Sequence, residues 1–245
     1  GRYYARHDGL PEAIADAIED HYRPRFAGDA LPRGDVGVAV ALADKLETLV
    51  GLFGIGEKPT GDKDPFALRR HALGVVRLLV ERDLPLALPA LIDAAVGAFK
   101  VTLRAEAAGE IADFVYDRLA NNLRDGGASA QAVDAVLALR PGRLSEVGKR
   151  LAAVGEFADL PEAPALAAAN KRVGNILKKA EGAVGAVADA AKLAEPAEHA
   201  LFAALAKIAP QADADFDAGD HTASLRKLAA LKAPVDAFFD AVMVN

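Results

Sequence analysis

The chain of 245 residues has no cysteine and no tryptophan, and aromatic residues make up 6% of it. The missing thiols exclude disulfides, thiolate nucleophiles and cysteine-rich zinc sites, and they fit a cytosolic protein. The scarcity of aromatic side chains, beside an abundance of Ala and Leu, favours helices over sheets and predicts an all-α fold. No apolar run reaches the roughly 20 residues of a membrane span, and no basic-then-apolar leader opens the sequence, so a soluble protein is expected. Nucleotide loops of the Walker or dinucleotide-binding spacing are absent, which leaves KPTGDK (Lys58 to Lys63) as a polar turn without a phosphate-loop signature. The five histidines never pair at i, i+4 as a helical zinc site requires, and Ser129, Ser145 and Ser224 lie in helical surroundings without a nucleophile elbow. No catalytic residue is assigned on this basis.

What is present is a chain with 52% hydrophobic and 26% charged residues and a formal net charge of −6. A globally positive field is thereby excluded, but the distribution is uneven. From Arg140 to Lys179, eight Lys or Arg stand against four Asp or Glu, a local +4 that leaves −10 on the remainder. Within this region AAANKRVGNILKK places Lys171, Arg172, Asn175, Lys178 and Lys179 at helical spacings of three and four. Arg and Asn can hydrogen-bond exposed bases and Lys pairs with phosphates, so this face is a candidate RNA contact; its plain alternative is a solvated helix face.

Hydrophobic periodicity predicts helices from Leu10 to Tyr22, around Asp44, from Leu91 to Phe99, at about 107 to 124, 129 to 139 and 144 to 158. Others follow from Pro164 to Ala180 with a Gly- and Ala-rich continuation to about Lys192, from Glu195 to Ile208, from Phe216 to Leu231, and from Val235 onward, with Pro210 and Pro234 as breaks. Asp64-Pro65 reads as a helix start, with Asp as N-cap and Pro at the first helical position. Asp44 is a lone acid among apolar neighbours, best explained by local hydrogen bonds unless metal-ligating partners converge on it. His7-Asp8 matches the dyad of HD phosphohydrolases in two residues alone, followed at once by Gly9.

The block ALADKLETLVGLFGIGEKPTGDKDPFALRRHALG, Ala41 to Gly74, closely resembles the beta subunit of the bacterial two-subunit glycyl-tRNA synthetase. YYARHDG and EDHYRPRFAGDALP upstream, and AANKRVGNIL and PVDAFFDAVMVN downstream, resemble the same family in the same order. The resemblance implies an HD-like helical domain over 1–95, a helical connector over 96–154 and an anticodon-binding helical bundle over 155–245, with the family's subunit extending beyond both ends. It also implies a cytoplasmic protein that binds tRNA-Gly and assembles with the alpha subunit as alpha2beta2. ATP would be consumed by the whole synthetase through the alpha subunit, with no cofactor in this segment and no catalysis by it alone. Asp44 falls at the place of the HD superfamily's last metal-binding aspartate, while the other metal ligands are not recognisable. Lys58, Lys63, Arg69 and Arg70 in and beside the loop become further candidate tRNA contacts. Two alternatives remain: a metal-dependent phosphohydrolase of the HD type, and a helical scaffold for subunit assembly.

Overall fold

A computed structural model describes residues 1–179 and 188–242. Among the described residues the regular structure is helical, with two isolated bridges and no strand. The helices are α1 (Arg2–His7), α2 (Glu12–Asp20), α3 (Asp35–Gly54), α4 (Leu68–Glu81), α5 (Leu88–Ala98), α6 (Ala107–Asp125), α7 (Ala130–Ala138), α8 (Val147–Ala158), α9 (Ala163–Lys179), α10 (Pro196–Asp217), α11 (His221–Ala229) and α12 (Lys232–Ala241). They divide into two units, Gly1–Gly148 and Lys149–Asn245. The all-α expectation therefore holds for the described chain, whereas the ends of several elements differ from those that periodicity predicts.

The first unit is built around α3, which packs against α2, α4, α5 and α6. Leu42, Leu46, Leu49, Val50 and Phe53 form its buried stripe, and the core is completed by Leu68, Ala72, Val75, Val76 and Leu79 of α4 and Ile111, Val115 and Leu119 of α6. These residues recur at the three- and four-residue spacing that puts them on one helix face. The chain returning from α5 crosses the end of α3 closely enough that Arg104 N–H donates to the Gly54 carbonyl at 3.0 Å. A Cβ at Gly54 would stand 2.5 Å from Leu103 Cδ2, so the crossing requires glycine. The segment 96–148, expected mostly as a connector, contributes α6 and α7 to this unit. Its loop 140–143 is pinned by Tyr116 Oη donating to the Pro141 carbonyl at 3.0 Å and by Leu88 N–H donating to the Gly142 carbonyl at 2.8 Å.

Two boundaries in this unit move for identifiable reasons. Helix α4 starts at Leu68, not at Asp64-Pro65, because the chain first makes a turn that closes from Ala67 N–H to the Asp64 carbonyl and passes through a left-handed conformation at Ala67 (φ 54°). Asp64 still caps the helix: its carboxylate accepts from Leu68 N–H at 2.8 Å and Arg69 N–H at 3.0 Å. The expected helix over 10–22 is α2 alone, preceded by the separate short α1 and the turn at Gly9.

In the second unit α10 runs straight through Pro210. The carbonyl left without a donor belongs to Ala206, and both residues are exposed. The real break is at Gly219 (φ 83°) followed by Asp220, which caps α11 by accepting from Ala223 N–H at 2.9 Å. Helix α12 starts at Lys232 and carries Pro234 in its first turn, where a missing donor costs nothing. The continuation expected from Ala180 onward lies outside the described residues as far as 187, as do residues 243–245 of the VMVN end, while Ala190–Lys192 is a single 3-10 turn. Buried apolar residues here are mostly small: Ala153, Ala163, Ala212, Ala229 and Leu231. Helix α10 packs on α11 and α12, and α9 on α12.

Candidate RNA interface

In the second unit, the phase of α9 leaves Lys171, Arg172, Asn175, Lys178 and Lys179 all exposed. Lys171, Arg172, Asn175 and Lys179 border one shallow depression of about 300 Å³ whose lining also includes Ala168 and Ile176. The Arg172 guanidinium lies over the Phe239 ring of α12, 4.2 Å from its centroid, a cation–π contact that orients the planar donor group. Lys171, Lys178 and Lys179 form no ion pair with a described residue. An exposed cation without an acid partner keeps its full attraction for an external anion, and the apolar lining lets a flat group lie against the helix.

In the first unit, the loop after α3 folds back on itself. Thr60 and Lys63 exchange backbone hydrogen bonds of 3.1 and 2.9 Å around Gly61, which has φ 52°. Its cations have unequal fates. Lys58 Nζ reaches Glu110 Oε1 at 2.7 Å, and Arg104 joins the same carboxylate at 3.2 Å, holding it below the usual range through hydrogen bonds from Lys58 and then Arg104. Arg69 donates to the Gly61 carbonyl. Both Lys58 and Arg69 are occupied in holding the loop, whereas the side chains of Lys63 and Arg70 make no hydrogen bond or ion pair with a described residue.

Beside Arg70 opens a cavity of about 240 Å³ lined by Tyr22, Pro24, Asp44, Lys45, Arg70 and His71. Lys45 sits on the buried phase of α3, 3% exposed, and its ammonium donates to the His21 carbonyl at 3.0 Å. Its stem fits because position 74 of α4 is glycine: a Cβ there would lie 2.5 Å from Lys45 Cε. Burial pushes the Lys45 ammonium below its ordinary pKa, opposed by the neighbouring Asp44. Burial and then the Lys45 charge push His71 down as well, and its buried Nδ1 has no hydrogen-bond partner among the described residues. Among the described residues the Asp44 carboxylate does not make the local hydrogen bonds expected for it. Thr48 Oγ1 donates instead to the Asp44 backbone carbonyl at 2.9 Å.

A family model described as "Glycyl-tRNA synthetase beta subunit" matches residues 1–138. The chain belongs to that family. It is 69% identical to the glycine–tRNA ligase beta subunit of Delftia acidovorans over 245 residues, all of this chain and 35% of that protein. Identity to the corresponding subunits of Paracidovorax citrulli and Leptothrix cholodnii is 68% and 69%, again over the whole chain and 34% of each. The chain thus spans about a third of the length of the relatives it matches.

A metal at Asp44 is poorly supported by the surrounding chemistry. Among the described residues no group of three or more His, Asp or Glu side chains is placed to hold a metal ion. A divalent cation at Asp44 would also meet the Lys45 ammonium, and the donor set does not fit one. His7 and Asp8 sit at the exposed end of α1. Sequence reasoning singled out Asp44, Arg70 and the α9 cations but passed over Lys45, His71 and Tyr22. For Lys45 a signal existed: it stands three residues after Leu42 and four before Leu49, on the core stripe of α3. For Tyr22 and His71 none did, because only the fold brings residues 22, 45 and 71 together.

Proposed function

We propose that this chain is a tRNA-Gly-binding part of a glycine–tRNA ligase beta subunit, without catalytic groups of its own. The observation that carries this reading is the α9 face, where Lys171, Arg172, Asn175, Lys178 and Lys179 are exposed in helical register and the lysines lack acid partners among the described residues. Family membership supports it, since the matched relatives carry that ligase's name. In this proposal residues 1–95 are an HD-like domain that has lost its metal, 96–154 a connector whose α6 and α7 pack into the same unit, and 155–245 an anticodon-binding bundle. Lys63 and Arg70 are the loop cations free to touch RNA, while Lys58 and Arg69 act by holding the loop. Glycine activation with ATP falls to the alpha subunit, in a cytoplasmic alpha2beta2 assembly.

The assembly role has its own support in the open face of α3, where Val36 and Val40 are exposed beside Ile14 and Ile18. Fluorescence titration with tRNA-Gly and an unrelated tRNA tests the RNA reading. Tighter binding of tRNA-Gly, weakened when Lys171, Arg172, Lys178 and Lys179 are all replaced by Ala, is expected. Equal and negligible binding of both RNAs would refute it.

A further inference from the structure

The cavity between α3, α4 and the segment after α2 holds Lys45, Asp44 and Tyr22, to which the proposed function gives no role, beside Arg70, which it counts among the RNA contacts. Its floor is a buried ammonium, Lys45, with a single carbonyl, that of His21, as hydrogen-bond acceptor among the described residues. Its rim carries Arg70, exposed and free of ion pairs with described residues. A buried cation is costly to keep unless something satisfies it. Gly74 makes the arrangement possible by leaving room for the Lys45 stem, so the ammonium is placed by packing and does not arrive there by chance rotation.

Size and charge narrow the ligand. Two cations attract a phosphate, but a bare phosphate would also face the Asp44 carboxylate, which accepts no hydrogen bond from a described residue. A sugar hydroxyl supplies the donor that Asp44 lacks, as acidic residues do for ribose in nucleotide sites generally. At about 240 Å³ the cavity accommodates a sugar and a phosphate without enclosing a base. In the lining, Tyr22 is 64% exposed and its ring centroid lies 3.9 Å from that of His21, giving an aromatic platform where a base can stack.

We propose that this cavity binds the ribose phosphate of one unpaired ribonucleotide. Lys45 and Arg70 hold the phosphate, Asp44 accepts from a ribose hydroxyl, and the base lies on Tyr22. The ribonucleotide comes either from single-stranded RNA or from a free nucleotide, since the recognising chemistry is the same.

Calorimetric titration of the protein with 5′-AMP, ribose 5-phosphate, 2′-deoxy-5′-AMP and inorganic phosphate tests it. Binding of 5′-AMP is expected, with ribose 5-phosphate weaker through loss of stacking. The deoxynucleotide and inorganic phosphate should be weaker by at least about tenfold, the loss typical of one charge-assisted hydrogen bond. Arg70→Ala should weaken every phosphate ligand by a similar factor, and Asp44→Ala should erase the preference for ribose over deoxyribose. Neither residue belongs to the core, and circular dichroism verifies that both variants fold. Failure of 5′-AMP to bind at millimolar concentration, affinity unchanged in Arg70→Ala, or a ribose preference that survives Asp44→Ala would each overturn the proposal. Competition by a single-stranded RNA that displaces 5′-AMP assigns the site to RNA, and absence of displacement assigns it to a free nucleotide. The cavity is built by residues of the first unit and the cationic face of α9 by residues of the second. Replacing Lys171, Lys178 and Lys179 should leave 5′-AMP affinity unchanged whether or not it abolishes tRNA binding.

Discussion

A methyl group at position 74 would stand 2.5 Å from Lys45 Cε and 2.7 Å from Cδ, against a lysine stem that is itself buried. Gly74→Ala is therefore expected to cost about 1–2 kcal/mol in urea unfolding, overpacking outweighing the roughly 1 kcal/mol that alanine gains inside a helix. Two carboxylates of the first unit couple stability to pH. Asp29 accepts from the Arg25 guanidinium and backbone N–H and from Ala30 N–H, and these bonds, led by the Arg25 side chain, hold it well below its ordinary value of 3.8. For Asp20 burial works in the opposite direction, but hydrogen bonds from Arg33 and the charge of Arg23 prevail and its pKa is also lowered. A carboxyl depressed in the folded state contributes stability that is complete above its unfolded pKa and is lost as pH falls through the folded one. Thermal unfolding should thus be insensitive to these groups above about pH 4 and fall progressively below it. Asp29→Asn should lower the melting temperature at pH 7 and make that acid decline shallower.

At the scale of elements, two helices carry local defects that the fold tolerates. Ala67 holds a left-handed conformation so that the Asp64 carboxylate can reach the first N–H groups of α4, and glycine adopts that conformation without a Cβ penalty. Ala67→Gly should raise stability by about 1 kcal/mol, measured by chemical denaturation; a decrease would mean that Ala67 is not left-handed. Helix α10 gives up one hydrogen bond at Pro210 and keeps going, with Ala206 and Pro210 both on its exposed side. Pro210→Ala restores the donor and should stabilise the second unit by about 1–3 kcal/mol, read from its helical melting curve. Proline is legible in the sequence as a stop signal, but whether it stops a helix depends on the burial of the carbonyl four residues back. That burial is a tertiary property.

For the whole molecule, a net charge of −6 coexists with a cationic row on α9, so RNA affinity should come from a local field and be strongly salt-dependent. Replacing Lys171, Arg172, Lys178 and Lys179 together should flatten the log–log salt dependence of tRNA binding by up to about 3–3.5, near 0.7–0.9 for each phosphate no longer neutralised. The four cations in and beside the loop should not behave alike. Lys63→Ala and Arg70→Ala remove charges with no described partner and act on binding alone, whereas Lys58→Ala also releases Glu110 and loosens the loop. Comparing RNA affinity with thermal stability across these variants separates the two effects.

Local periodicity and composition were enough to establish the helical class and most helix positions, and one long specific block, Ala41 to Gly74, was enough to point to the family. The α9 cations were legible too, since exposure along one helix follows from its 3.6-residue phase. Which charges are occupied and which are free was settled by the packing of the helices. Lys58 and Glu110 are 52 positions apart, and Lys45 meets the His21 carbonyl across 24. No spacing rule reaches that far, because such pairs depend on which helix faces meet and on where a glycine, such as Gly74, permits a long side chain to pass.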